Sequence, residues 1–398
     1  MNLAMDKCSE TKRVMLCTPV LLLGGTEVQM LTLARTLITG GYKVATCCYY
    51  EFAQSIVDQF KEAGAQVFLL KLDRSNGHWG VKKTLELMGK LVNCFEEYKP
   101  DIVHVQYLAP GFIPVIAARL SGIANIFATV HIAGSIAYGL KAKLLLRTAA
   151  KITTLFICVS QGVEKFWFGD SHLFQAGTPL NNRRHFTIYN AIDVSKITEI
   201  TRVLDRNELK NCLGIKDQPV VGTVGRLAHQ KGQTILLDAF AEVVKKFPST
   251  MLFIIGDGPD KAELHEKASK LGLDRHIRWF GALPQEEVFG LYTAMDVFVM
   301  PSLYEGFGLT AAEAMAAGLP VVGTRVDGLS EIIKDGLTGY LLPVGDSQEL
   351  AQALVQMLSN AEKREMMGQK GKDRAQKLFS LERFSRSVLA AYGEVSRH

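Results

Sequence analysis

Two glutamates, Glu305 and Glu313, stand in a stretch that is otherwise small and apolar: from Pro301 to Val322 the chain reads PSLYEGFGLTAAEAMAAGLPVV. Glu313 lies in LTAAEAMAAG, a helix so poor in polar residues that its body is expected to be buried. A buried carboxylate is costly unless something hydrogen-bonds it, and a ligand hydroxyl could do so. The competing reading puts Glu313 on the one wet face of an amphipathic helix. Glu305, taken alone, reads as a solvated loop residue. Between them Gly306 and Gly308 flank Phe307 at the expected helix start. There, unpaired N–H groups and the helix dipole favour an anion, and missing Cβ atoms let a ligand approach. The turn is a candidate phosphate cradle.

These residues need rigid elements to hold them. Val297 to Met300 reads as a buried strand before the turn, and Leu319 to Val322, entered through Pro320, as another after the helix; the whole is a βαβ unit. A second unit begins at Pro219 with VVGTVGRLAHQKG. A strand runs into Gly225, Arg226 and Lys231 stand around the following loop, and Gly232 precedes a helix. This is neither a Walker loop nor G-x-G-x-x-G, and by itself the pair of cations reads as a solvated loop. Strands are also expected at Leu252 to Gly258 and His276 to Leu283, and a last one from Thr338.

The first half alternates in the same way, with strands expected at Val14 to Pro19, Lys43 to Tyr49, Val67 to Leu70, Ile102 to Gln106, Ile126 to His131 and Leu155 to Ser160. A glycine turn from Leu22 to Glu27 leads into a helix from Val28 to Ile38. Alternation of this kind predicts parallel sheets with helices on both faces, and ligands gather at the carboxyl ends of such strands. Gly24, Gly25 and His131 fall at those ends. On residue type alone, the glycine pair reads as a turn and the histidine as a satisfied buried residue.

The segment E-GFGLTAA-E resembles the E-x7-E signature of retaining glycosyltransferases of the GT-B fold, family 4 in particular, and G-R-L-x-x-x-K-G around Arg226 and Lys231 matches a second element of that family. The resemblance covers nearly the whole chain and is more specific in its second half. It implies an α/β protein of GT-B architecture, two Rossmann-like doubly wound domains facing a central cleft. Residues 1–193 would form the acceptor-side domain, 194–216 a linker and 217–380 the donor-binding domain, with the last helix, 381–398, packing back on the first domain. By position, Glu305 would contact the donor sugar and Glu313 the ribose, while Arg226 and Lys231 grip the diphosphate. The amides of Phe307, Gly308, Leu309 and Thr310 would cradle phosphate and sugar hydroxyls, Gly24 and Gly25 would face the donor phosphates, and His131 would lie beside the sugar. Gly281 to Leu283 would neighbour the base. Two departures stand out: His131 is followed by Ile132-Ala133-Gly134 instead of the family's Asp or Gly, and Ala191 replaces a glycine in YNAID (Tyr189 to Asp193).

Composition narrows the remaining classes. The chain has 398 residues, 48% hydrophobic and 21% charged, and seven cysteines without a C-x-x-C pair, which argues against a disulfide framework and a zinc site. No run approaches a membrane span, and the polar start MNLAMDKCSETKR does not read as a signal peptide, so a cytoplasmic protein is expected. The net charge of +5 sits in the first half, with 20 Lys and Arg against 14 Asp and Glu up to Asp193. An acidic acceptor, phosphate-bearing or lipid-linked, is expected rather than nucleic acid, for which no aromatic-basic interleaving appears. In YGLKAKLLLRTAAK (Tyr138 to Lys151), Lys143, Arg147 and Lys151 recur along one helix face. Such a helix either rests on the inner membrane face or docks its apolar side on the sheet.

With no Asp-x-Asp in the sequence, the cations and the helix end at Gly308 would supply the positive charge for a departing diphosphate. The expectation is therefore metal-independent transfer, which the family resemblance makes retaining transfer of a hexose-type sugar, with a nucleotide sugar, UDP-sugars first, as co-substrate and no cofactor. The alternatives are an epimerase or phosphorylase of the same fold and a non-catalytic nucleotide-sugar sensor.

Overall fold

The computed structural model describes residues 11–73, 80–107, 111–132, 139–177 and 183–395. Residues 1–10, and with them most of the polar start, lie outside the described residues, as do Ala133, Gly134 and Tyr138. The first lobe runs β1 (Arg13–Thr18), α1 (Gly25–Thr39), β2 (Lys43–Cys48), α2 (Gln54–Glu62), β3 (Gln66–Leu69), α3 (Val81–Tyr98), β4 (Ile102–Gln106), α4 (Phe112–Leu120), β5 (Asn125–Val130), α5 (Leu140–Ile152), β6 (Leu155–Cys158), α6 (Gln161–Phe168) and β7 (His185–Thr187). Helices α7 (Val194–Val203) and α8 (Arg206–Cys212) lead to the second lobe. That lobe runs β8 (Val220–Val224), α9 (Gln233–Lys246), β9 (Met251–Ile255), α10 (Lys261–Lys270), β10 (Ile277–Gly281), α11 (Gln285–Tyr292), β11 (Val297–Met300), α12 (Leu309–Ala316), β12 (Val321–Thr324), α13 (Asp327–Ile332), β13 (Gly339–Leu342) and α14 (Ser347–Ser359). Helices α15 (Ala361–Phe379) and α16 (Leu381–Val395) close the chain.

Both sheets are parallel throughout, ordered β3-β2-β1-β4-β5-β6-β7 and β10-β9-β8-β11-β12-β13. Strands covered on both faces must be apolar along their length, and Val14 to Cys17 and Val297 to Val299 are fully buried. Each order reverses once, between β1 and β4 in the first sheet and between β8 and β11 in the second. A crevice opens at such a reversal, because the connections on its two sides leave toward opposite faces. The two crevices receive the loops that carry the expected site residues.

Several expected boundaries move. Helix α1 begins at Gly25, inside the expected turn, because Gly24 already acts as its N-cap. Strand β12 starts at Val321, since Pro320 has no N–H to give the ladder. The three-residue β7 has no counterpart in the sequence reading, and the linker expected over 194–216 is largely helical, formed by α7 and α8, each capped by an aspartate, Asp193 and Asp205. Ala191 needs no glycine backbone: it is absent from the positive-φ residues, and its N–H and C=O both bond the amide of Gln29, at 2.9 and 2.7 Å.

Helix α16 packs against the first lobe. Phe384, Val388, Ala391 and Tyr392 share a core with Val14, Leu16 and Leu33, and Tyr392 Oη lies 2.6 Å from His104 Nδ1. The lobes also meet directly. Glu331 of α13 accepts the N–H groups of Gln161 and Gly162, at 2.9 and 2.7 Å, setting a carboxylate against the positive start of α6. Burial raises the pKa of that carboxyl, and the two N–H bonds pull the other way.

Candidate active site

The loops after β8 and β11 face each other across the second crevice. From the first comes Lys231, whose Nζ lies 2.5 Å from Glu305 Oε2 in the second, with both side chains largely buried. Arg226, at the end of β8, is exposed, and its guanidinium makes no ion pair among the described residues. Its carbonyl accepts Gln233 Nε2 at 3.0 Å, which holds the loop while leaving the side chain free. Glu305 is therefore not the solvated loop carboxylate that residue type alone suggested: it is half-buried and paired.

Between Glu305 and α12 the chain turns through Gly308, at φ +106°, a conformation that L side chains rarely adopt. Of the two turn glycines only Gly308 uses this freedom; Gly306 is buried without it. The first carbonyl bonded within α12 is that of Gly308, taken by Ala311 and Ala312. The amides of Leu309 and Thr310 thus open the helix with no acceptor behind them. Thr310 Oγ1 donates to the carbonyl of Val224 at the end of β8, 3.1 Å away, pinning the helix start to the crevice. Phe307 is buried against Tyr189 and Phe379, at ring distances of 6.0 and 5.4 Å. Gly328 locks the turn from behind: its N–H donates to Glu305 O at 3.1 Å, and a Cβ there would lie 2.6 Å from Phe307 N.

Glu313, 7% exposed, is not on a wet face. In this structure the protein satisfies it, Tyr292 Oη donating to Oε2 and Gln285 Nε2 to Oε1, each at 3.2 Å. Burial still pushes the carboxyl up to about 7 against these two bonds. Tyr292 and Gln285 were not singled out in the sequence. Gln285 follows Gly281 to Leu283 closely, so that loop ends beside this carboxylate.

From the first lobe, the loop after β1 meets the cradle. A Cβ on Gly25 would lie 3.2 Å from Leu309 Cδ1, and Gly24 carries the first backbone bond of α1. His131 follows β5, and its Nε2 lies 2.6 Å from Gln106 Oε1 at the end of β4. Burial lowers its pKa to about 4, so the ring is neutral at physiological pH. It makes no hydrogen bond to the second lobe among the described residues. The structure thus gathers Lys231, Glu305, Thr310 and the cradle at one crevice, brings Gly25 against it, and holds Glu313 one turn further along α12, where Tyr292 Oη reaches both its carboxylate and the carbonyl of Thr310. Gln106 could have been noticed by the logic that singled out His131, a polar residue ending an apolar strand, and was missed. Gly328 carried no such signal.

The family models account for most of the chain: glycosyl transferases group 1 matches residues 205–374 and glycosyltransferase family 4 matches residues 23–196. A D-inositol 3-phosphate glycosyltransferase of Corynebacterium urealyticum is 35% identical over 50% of this chain and 49% of its own length. The N-acetyl-alpha-D-glucosaminyl L-malate synthase of Bacillus anthracis is 27% identical over 79% of this chain and 80% of its own. The chain thus spans about half the length of the first relative and most of the second. Among solved structures, Anabaena HepE in complex with UDP and glucose superposes with a TM-score of 0.77 at 22% identity, covering 98% of this chain and 100% of that one. At that identity the likeness establishes the fold, two Rossmann-like lobes of GT-B type.

Proposed function

This chain belongs to the family 4, group 1 glycosyltransferases, and from that premise we propose that it moves a hexose-type sugar from a nucleotide diphosphate sugar to an acceptor hydroxyl, without a metal and with retention of configuration. The observation that carries the reading is the convergence of Arg226, Lys231 and the open amides of α12 on the crevice between β8 and β11. Transfer makes a bond from the acceptor oxygen to the anomeric carbon and breaks the bond from that carbon to the diphosphate. Two cations and a helix start oppose the charge that develops on the leaving group. Arg226 offers a planar fork to two phosphate oxygens and Lys231 a point charge.

In this reading Lys231 and Glu305, neighbours in an ion pair, have neighbouring duties, diphosphate for the lysine and sugar hydroxyls for the glutamate. Glu313, beside the loop that ends at Gln285, takes ribose hydroxyls. His131 is too weak a base at a pKa of about 4 to hold a proton at neutral pH; it orients the sugar by hydrogen bonding, and the acceptor's proton leaves with the diphosphate. UDP-sugars are the first donors to try.

The acceptor we propose is acidic and lipid-linked. The excess positive charge lies in the first lobe, and the two relatives are named for inositol 3-phosphate and malate, both anionic. On α5, Leu146, Ala149 and Ala150 pack inward, leaving Leu140 88%, Leu144 68% and Leu145 51% exposed beside Lys141 and Lys151. A helix that merely docked its apolar side would not show these leucines to solvent. No helix among the described residues is long and apolar enough to cross a membrane, so contact would be peripheral, at the inner face.

Calorimetry with variants tests the donor site. Arg226→Ala should weaken binding of nucleoside diphosphate and sugar nucleotide alike, by about tenfold or more, with an unchanged Tm because its guanidinium makes no ion pair among the described residues. Lys231→Ala should weaken both and also lower Tm, since it strands the half-buried Glu305. Wild-type affinity in a folded Arg226→Ala variant overturns the assignment.

A further inference from the structure

The first lobe contains two histidines and two glutamines whose settings differ in an informative way. His104 is buried with both ring nitrogens bound, Nδ1 to Tyr392 Oη at 2.6 Å and Nε2 to Thr129 Oγ1 at 2.7 Å. Gln29 is buried with both ends of its amide bound to Ala191. These are structural residues, satisfied on every side, as buried polar groups ordinarily are. His131 and Gln106 share one bond and each leaves a group over. His131 Nδ1 has no protein partner among the described residues, and Gln106 Nε2 is buried without an acceptor although the residue is 2% exposed. Both stand at carboxyl ends of neighbouring strands, and Gln106 ends β4 at the reversal between β1 and β4, where the crevice of the first sheet opens.

We propose that Gln106 is a positioning residue: its carbonyl oxygen accepts the Nε2–H of His131, fixing the tautomer and orientation of the imidazole and leaving the Nδ1 lone pair to accept from a hydroxyl of the bound sugar. A glutamine kept only for stability would not leave its amide nitrogen buried and unpaired, because that donor forfeits its water and gains nothing. Its retained value lies in what it does for His131. Neutral imidazole has one donor and one acceptor nitrogen, and the bond made by one decides the role of the other. Burial, which lowers the pKa of His131, keeps the ring in this neutral form.

The part of this inference that concerns sugar rests on the transferase reading; the tautomer does not. Selective ¹⁵N-histidine labelling with long-range ¹H–¹⁵N correlation, assigned by loss of the signal in His131→Gln, should show the Nε2–H form alone in the wild-type protein. Gln106→Met, which keeps the length and removes the acceptor, should give a mixture of tautomers with Tm shifted by less than about 3 °C. It should also bind sugar nucleotide about tenfold more weakly while binding free nucleoside diphosphate unchanged. An Nδ1–H tautomer in the wild type overturns the proposal, and so does an unaltered Nε2–H form in Gln106→Met. If neither nucleotide binds at all, the transferase reading fails while the tautomer still decides the role of Gln106.

Discussion

At the scale of single residues, Glu313 shows how a composition argument can be right about burial and incomplete about chemistry. An apolar helix did bury its carboxylate, yet the hydrogen bonds come from Tyr292 and Gln285, which no local pattern around Glu313 could reveal. The group remains under tension, with its carboxyl raised from an ordinary value near 4.5 to about 7 chiefly by burial. The folded state therefore binds a proton that the unfolded chain releases between about pH 4.5 and 7. Stability from this group is present at low pH and falls as pH rises through that window, by roughly 3 kcal/mol in all. Glu313→Gln mimics the neutral form, so its Tm should stay level across that range relative to the wild type and exceed it at pH 8. Ribose hydroxyls donating to the carboxylate would lower its pKa, so nucleoside diphosphate binding near pH 7 should release protons, seen as a buffer-dependent calorimetric enthalpy that vanishes in Glu313→Gln. Parallel Tm profiles for the two proteins would contradict the buried, raised carboxyl.

Among the elements, α5 is the one on which the proposed membrane contact rests. Lys143 lies over the Phe166 ring at 5.1 Å and Arg147 Nε donates to Trp167 O at 2.8 Å, so two of the three aligned cations serve α6, while the leucines beside them stay exposed. Neighbouring α4 and α3 add exposed Leu120, Val81 and Leu85. With each surface lysine contributing roughly 1 kcal/mol at an anionic bilayer, attachment should be weak and reversed by salt. Vesicles with anionic lipid should retain the protein at low salt, and Leu140→Ser with Leu144→Ser should cut retention several-fold; equal retention by neutral and anionic vesicles would remove the membrane from the account. Element boundaries were legible wherever an apolar run met a glycine or proline, as at Val297 to Met300, whose expected and observed limits coincide. They were not legible where pairing alone makes the element: β7 is three residues long and exists because Phe156 and Cys158 supply its ladder. The same division holds for the site. Arg226, Lys231 and Glu305, which residue type alone leaves as solvated loop residues, became legible with Gly308 through their match to the family's two sequence elements. Gln106, Tyr292, Gln285 and Gly328 act through partners distant in sequence, and their roles appear only once the sheets bring those partners together.

For the whole molecule, the proposed transfer depends on the two crevices meeting. Reversal of strand order in each sheet opens one crevice per lobe; Glu331 ties α13 to the start of α6, α16 joins the core of the first lobe, and Gly25 faces Leu309 across the gap. On the proposed reading, a donor held by the second lobe would be presented to the loops of the first, as a transfer between two substrates requires. A nucleotide-sugar sensor would need only the second crevice, and neither an epimerase nor a phosphorylase would release nucleoside diphosphate in response to an acceptor alcohol. The measurement that separates these is release of free nucleoside diphosphate from a panel of UDP-, GDP- and ADP-sugars, with a metal chelator present, in the presence and absence of acidic acceptor alcohols. The account predicts release from one donor that depends on acceptor, survives the chelator and falls on the order of one hundredfold in Arg226→Ala. Tight donor binding without acceptor-dependent release would contradict it.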